Sequence, residues 1–89
     1  MKTITESLLI EKEGYLPHSI SLNSTGNKVT PFSTHIKIYK DNKHFFESGD
    51  YHYSLIGATK SFEERCKEND TEEKTSMFLD VNTPTKLTN

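Results

Sequence analysis

Four histidines and one cysteine are the side chains of this 89-residue chain that could bind a metal ion or act as a nucleophile. Structural zinc sites draw their ligands in pairs separated by about two to four residues, and none of these five residues has a partner that close. We therefore expect no metal and no other cofactor, with the imidazoles on the surface or half-buried. The alternative is a crowded group of three histidines near one predicted hairpin. The five residues are His18, His35, His44, His52 and Cys66, and the group would comprise His35, His44 and His52.

Cys66 would be the nucleophile if this chain were an enzyme. A catalytic cysteine needs a thiolate, which a nearby histidine or a helix N-terminus stabilises. The sequence places Cys66 toward the C-terminal end of a predicted helix, where the helix dipole disfavours a thiolate. Paired carboxylates and a phosphate-binding glycine loop are also missing from the sequence. We predict that Cys66 packs as a small apolar side chain and that the protein is not an enzyme.

Aromatic and basic residues alternate between positions 37 and 53, which favours a contact surface. Rings that stack on bases, together with lysines that neutralise phosphates, are typical of surfaces for single-stranded nucleic acid. Tyrosine and phenylalanine are equally typical of protein interfaces. We predict a protein partner and keep nucleic acid as the alternative, for which Lys40 and Lys43 would add charge. The predicted contact residues are Lys37, Tyr39, His44, Phe46, Tyr51 and Tyr53.

An acidic stretch over residues 63–73 provides a second candidate contact surface. Glu63, Glu64 and Glu68 would suit a basic partner, and the stretch would then imitate a phosphate backbone. Arg65 and Lys67 lie within it, so an ordinary solvated helix face is the other interpretation.

A β-hairpin over about 33–48 is predicted to position most of these residues. Ile36 and Ile38 alternate with polar residues, as in a half-buried strand, and residues 43–48 are rich in strand formers. Asp41 and Asn42 tolerate the positive φ of a two-residue hairpin turn.

This turn sets the register of the hairpin and the face on which each side chain lies. It pairs Ile38 with Phe45 on the core side, and Gly49 predicts a bulge or a sharp bend where the second strand leaves the sheet. The opposite face then carries His35, Lys37, Tyr39, His44 and Phe46.

A helix is predicted over about 54–68. Ser54 can cap its first turn, and Asn69 and Asp70 can end it. Four apolar positions recur at helical spacing and are expected to pack against Ile36, Ile38 and Phe45. They are Leu55, Ala58, Phe62 and Cys66.

The N-terminal half predicts further strands. Residues 4–10 fit either an alternating strand or a short helix, and we predict a strand. Residues 19–22 alternate like a strand. The turn signal at 23–27 predicts a hairpin, with residues 28–30 as its returning strand. Pro31 lacks a backbone donor and is expected at a strand edge or entry.

Length and composition indicate one small domain over residues 1–81, with 77–81 as a last short strand or amphipathic turn and 82–89 as a flexible tail. The net charge is -2, so the chain does not have the excess of basic residues that is typical of a duplex-binding domain. A single cysteine and the absence of a long apolar run from the sequence predict a cytoplasmic protein without a membrane contact. The hydrophobic content of 31% predicts a thin core, which favours a partner or a homodimer.

Residues 39–65 resemble small uncharacterised proteins of bacterial viruses. The resemblance covers about a third of the chain. It consists of the Gly49-x-Tyr51 bend followed by a helix that carries leucine, alanine, phenylalanine and Arg65 at helical intervals. It implies an accessory protein that binds and inhibits a host enzyme or defence complex without catalysis, and it carries over no functional residue.

The sequence thus predicts an α+β fold in which a small antiparallel sheet containing a hairpin is followed by one helix packed on one face. The expected function is noncatalytic protein binding, by an inhibitor of an anti-CRISPR-like or anti-restriction-like kind in the host cytoplasm. The alternative is a small single-stranded nucleic-acid-binding protein that uses the aromatic and lysine residues of the hairpin.

Overall fold

The computed structural model describes residues 1–74. In chain order it contains β1 (Lys2–Glu6), β2 (His18–Ser24), β3 (Phe32–Lys40), β4 (Lys43–His52) and α1 (Leu55–Glu68). The strands form one antiparallel sheet in the order β1-β2-β3-β4, and α1 packs against β2, β3 and β4. The predicted small α+β fold is confirmed. The interpretations of residues 77–81 and 82–89 lie outside the described residues.

The β3–β4 hairpin has the predicted turn and register. Asp41 and Asn42 have φ angles of 55° and 63°, as a two-residue turn requires. Ile38 faces Phe45 across the two strands. Further along, the register shifts because Thr34 faces Asp50 while Ile36 faces Glu47. This shift is a bulge, one of the two alternatives that Gly49 predicted. The expectation that the strand leaves the sheet there is wrong, because β4 continues to His52.

Helix α1 begins and ends where the sequence predicts. The Ser54 hydroxyl accepts a hydrogen bond from the Gly57 amide at 3.1 Å, and Asn69 caps the C-terminus. Leu55 is an exception to the predicted apolar stripe, since it is 46% exposed. Only two residues connect β4 to α1, so the first helical turn lies at the margin of the sheet.

The core lies between α1 and β2, with β3 at its side. Its buried members come from the loop after β1, from β2 and from α1, and Phe32 and Ile36 of β3 pack against them. The expectation that Phe45 covers the core is wrong, because Phe45 is 51% exposed. The helix ends before it reaches the hairpin turn, so the sheet beyond Ile36 is not covered by α1. The buried apolar residues are Ile10, Ile20, Leu22, Ala58, Phe62 and Cys66.

The connection from β2 to β3 differs from the expected return strand. β2 contains the predicted residues 19–22, but residues 28–30 lie in a loop and β3 begins after Pro31. A side chain takes the place of a partner strand for the backbone of this loop. The Asn27 carboxamide oxygen accepts hydrogen bonds from the amides of Val29 and Thr30. Pro31 lies at a strand entry, as predicted.

β1 is shorter than the strand predicted over residues 4–10. It ends at Glu6, and Ser7 and Ile10 form isolated bridges with Glu73 and His18. Its register against β2 shifts between Thr3 and Thr5. Within residues 1–74, the structure contains no helix with the length and apolar character needed to cross a membrane.

Candidate binding surface

The face of the sheet opposite α1, here called the outer face, is polar and yet largely buried. The pairing registers of the four strands, with a one-residue shift in β1 and another in β4, determine which side chains lie on this face. Its central positions carry serines, an asparagine, His35 and Lys37 instead of apolar side chains. His35 was expected on the surface or half-buried and Lys37 at a partner contact, but they are only 4% and 7% exposed. The other buried members are Ser19, Ser21, Asn23 and Ser33.

Glu6 is the acceptor at one end of this polar layer. Its carboxylate accepts hydrogen bonds from Ser19 Oγ at 2.9 Å and from Tyr39 Oη, and Lys37 Nζ lies at 3.5 Å. Burial would raise the pKa of Glu6, but these hydrogen bonds and the Lys37 charge outweigh burial and lower it. Burial and the bond to Glu6 raise the pKa of Tyr39 to about 12. Glu6 and Tyr39 therefore keep their charge states throughout the neutral pH range.

A chain of polar contacts runs from this ion pair across all four strands. Lys37 Nζ donates to Thr3 Oγ1 at 3.3 Å, and Thr3 Oγ1 donates to Asn23 Oδ1 at 3.2 Å. Asn23 Nδ2 lies 3.2 Å from His35 Nδ1, and His35 Nε2 lies 3.4 Å from the hydroxyl of Tyr51. Because an amide NH₂ can only donate, His35 Nδ1 accepts and the imidazole carries its proton on Nε2.

The imidazole of His35 is held neutral by its surroundings. Burial lowers its pKa, the positive charge of Arg65 lowers it further, and Asp50 opposes the shift. A Cβ atom at Gly49 would lie 2.3 Å from His35 Nε2, so the glycine lets β4 pass directly beside the ring.

Five rings form a continuous line along β3 and β4 on the outer face, here called the aromatic row. Consecutive ring centroids are 6.4, 5.3, 5.6 and 5.5 Å apart, and every pair is edge-to-face. Tyr51 ends the row with 56% of its surface exposed, and Tyr53 beyond it is 79% exposed. The aromatic row is Tyr39, His44, Phe46, His35 and Tyr51.

The structure does not present the three lysines as free cations beside the aromatic row. Lys37 is buried against Glu6, with its ammonium group 5.6 and 5.9 Å from the ring centres of Tyr39 and Phe46. Lys40 and Lys43 face each other on the α1 side of the sheet, because they share the parity of Ile38 and Phe45. Of the three lysines proposed for phosphate contact, Lys37 is thus buried beneath the rings, and Lys40 and Lys43 lie on the other side of the sheet.

The acidic candidates lie on the other side of the sheet. Glu63, Glu64 and Glu68 are exposed on α1, where Lys60 and Lys67 interleave with them. The acidic helix edge and the aromatic row are thus two separate surfaces, with the sheet between them.

No metal-binding group forms within the described part of the chain, since no three histidine, cysteine or acidic side chains come together there. Cys66 is buried in the core, and burial, followed by the charges of Glu73 and Glu63, raises the pKa of its thiol to about 11. A packing role for Cys66 agrees with both observations.

A groove of about 570 Å³ lies on the α1 side of the sheet, beyond the C-terminus of the helix. Ile36 and Ile38 form its floor, and Tyr15 and Leu16 of the loop before β2 form a wall. Sequence reasoning missed it, because the groove depends on where the helix stops and how that loop folds.

Thr3, Glu6 and Asn23 were also missed by sequence reasoning. The alternation of serine with Ile20 and Leu22 was a signal for one polar face in β2, but the pairing with β1 that buries this face is long-range. No protein-family model, curated protein or solved structure matches this chain. The candidate surface is therefore defined by its own geometry.

Proposed function

We propose that this protein is a noncatalytic binding module that uses the aromatic row, together with Tyr53, to contact a protein partner. The observation that carries the proposal is the unbroken line of edge-to-face rings that ends in the exposed Tyr51. Aromatic side chains with a polar tip dominate the energetic centres of protein interfaces.

The buried polar layer beneath the aromatic row supports this function. The row is held in place by the bonds of Tyr39 to Glu6 and of His35 to Asn23 and Tyr51. Rings that are already ordered lose less conformational entropy when they bind. Lys37 then acts as a support beneath the rings, and the partner contacts the exposed members.

Charge favours a protein partner over nucleic acid. Single-stranded nucleic-acid surfaces place free basic groups beside the stacking rings. Here Lys37 is engaged by Glu6, and Lys40 and Lys43 belong to the opposite side of the sheet. Following the resemblance to small proteins of bacterial viruses, we propose that the partner is a host enzyme or defence complex that the bound module inhibits.

Affinity capture from bacterial host extracts, with the full chain as bait, tests whether a stoichiometric protein partner exists. The captured protein would be produced separately and its dissociation constant measured for Tyr51→Ala and Tyr53→Ala. We expect each to weaken binding at least about tenfold, as loss of a tyrosine at the energetic centre of an interface does. Tyr15→Ala is the matched control, because Tyr15 is 70% exposed and lies in the groove wall on the other side of the sheet.

Two results would contradict this function. The first is that Tyr51→Ala and Tyr53→Ala both bind the partner with wild-type affinity, as the control Tyr15→Ala does. The second is tight binding of labelled oligonucleotides that weakens as salt is added and is lost in Phe46→Ala, which would establish the nucleic-acid alternative.

A further inference from the structure

β4 is an edge strand within residues 1–74, and part of it can pair with another strand. The amide of Tyr39 donates to the Pro17 carbonyl, away from β4. Tyr39 faces His44 across the two strands. Because the Tyr39 backbone points away from β4, this is a non-hydrogen-bonded pair, and the backbone groups of His44 point away from β3. By the same alternation, the groups of Phe46 also point outward. Residues 43–47 thus offer a backbone edge that no other strand within residues 1–74 pairs with.

The sequence of this edge, Lys-His-Phe-Phe-Glu, is complementary to itself when reversed. If a second copy is placed antiparallel about a two-fold axis at Phe45, Lys43 of each copy faces Glu47 of the other. His44 faces Phe46 in the two hydrogen-bonded pairs, which use the outward backbone groups. Phe45 faces its own copy in a non-hydrogen-bonded pair, where side chains lie closest.

Side-chain orientation agrees with this register. Lys43, Phe45 and Glu47 pair with Lys40, Ile38 and Ile36 of β3, so all of them lie on the α1 side of the sheet. Phe45 is 51% exposed there, beside the groove, and a second Phe45 would cover it. Opposite charges and aromatic pairs directly across two strands stabilise a sheet.

The other edge of the sheet lacks this property, although β1 has the similar sequence Lys-Thr-Ile-Thr-Glu. Its register shift falls at the centre of the segment, between Thr3 and Thr5, and places Lys2 and Glu6 on opposite faces. Glu6 is also engaged by Lys37 and Tyr39. In β4 the shift falls after Glu47, so residues 43–47 remain regular.

We propose that the protein forms a two-fold symmetric dimer in which residues 43–47 of β4 pair antiparallel with the same residues of a second copy. The two sheets then become one, and the aromatic rows of both copies meet where His44 of each faces Phe46 of the other. A two-fold interface of this kind is closed, because the β4 edge of each copy is paired with the β4 edge of the other. It therefore does not propagate into fibres through β4. This assembly is independent of the protein partner proposed above.

Charge-swap variants of the full chain test the pairing. In Glu47→Lys two lysines face each other across the axis, and in Lys43→Glu two glutamates do. Each variant should therefore weaken self-association at least about tenfold. The double variant Lys43→Glu/Glu47→Lys restores opposite charges and should dimerise like the wild type. An equimolar mixture of the two single variants should form a heterodimer, because the lysines of one variant then face the glutamates of the other.

Sedimentation velocity over a series of protein concentrations measures these outcomes. Glu64→Lys, which makes the same charge change on the exposed surface of α1, is the matched control and should leave self-association unchanged. A wild-type protein that stays monomeric at every concentration would overturn the proposal. So would a dimer that Glu47→Lys leaves intact, since it would use another surface.

A cysteine cross-link tests the position of the axis without relying on charge. Cα atoms in a non-hydrogen-bonded pair are about 4.5 Å apart, within the range of about 4.4–6.8 Å that a disulfide spans. Phe45→Cys should therefore form a disulfide between copies under mild oxidation. Val29→Cys is the control, because Val29 is 69% exposed in the β2–β3 loop, away from the axis. Equal cross-linking of both variants would contradict the proposed register.

Discussion

Replacing Gly49 by alanine is expected to destabilise the protein, although the backbone conformation at this position is one that any residue can adopt. The added Cβ would lie 2.3 Å from His35 Nε2 and 2.9 Å from two ring carbons. The ring has little room to withdraw, because Phe46 and Tyr51 flank it at 5.6 and 5.5 Å between centroids. Asn23 Nδ2 and Ser33 Oγ lie 3.2 and 3.1 Å from Nδ1.

The magnitude follows from two opposing effects. Overpacking at a closely packed site costs about 1–3 kcal/mol of stability. Replacing glycine by alanine where the backbone permits it stabilises the protein by about 0.4–1 kcal/mol, because the unfolded chain loses entropy. We expect Gly49→Ala to lower the free energy of unfolding by about 1–2 kcal/mol. In a domain of this size, each kcal/mol corresponds to a decrease of about 4–8 °C in Tm.

A double-mutant cycle separates the contact with His35 from other causes. In His35→Ala the Cβ meets no ring, so adding Gly49→Ala should be neutral or stabilising by up to about 1 kcal/mol. Urea unfolding of the wild type, the two single variants and the double variant measures the coupling. An equal loss of stability from Gly49→Ala in both backgrounds would refute the argument, because the cost would then lie in the backbone.

Three further results are expected. Lys37→Met leaves the Glu6 carboxylate without its cation and should cost about 1–3 kcal/mol of unfolding free energy, and adding Glu6→Gln should recover part of it in urea titrations. The lowered pKa of His35 means that the unfolded chain takes up a proton first, so stability should fall as the pH drops below the ordinary value of 6.5. His35→Gln should remove that part of the decline in thermal scans at pH 7 and below. The Cys66 thiol, with a pKa of about 11, should react slowly with a thiol reagent at pH 8 and quickly only once urea has unfolded the chain.

Local chemistry made much of the fold predictable. The turn at Asp41 and Asn42 determined the pairing of Ile38 with Phe45, and the Ser54 hydroxyl marked the start of α1. These features depend on residues close together in the chain. The Gly49 bulge was predictable for the same reason.

The errors arose where contacts between distant segments decide the outcome. Register fixes the face on which Phe45 lies, but its exposure depends on how far α1 reaches along the sheet. Residues 28–30 resembled a strand by composition, yet the side chains of Thr25 and Asn27 bind that segment as a loop. Lys37 looked like a surface lysine because its partner, Glu6, lies 31 positions earlier in the sequence.

The buried polar layer on the outer face has a consequence for how stability depends on temperature. Exposing apolar surface raises the heat capacity on unfolding, whereas exposing polar surface lowers it. Much of the buried surface of this sheet belongs to serines, an asparagine, a histidine and a lysine. The heat-capacity increment per residue should thus fall below the usual value of about 12–15 cal/mol/K, and the stability curve should be broad and shallow.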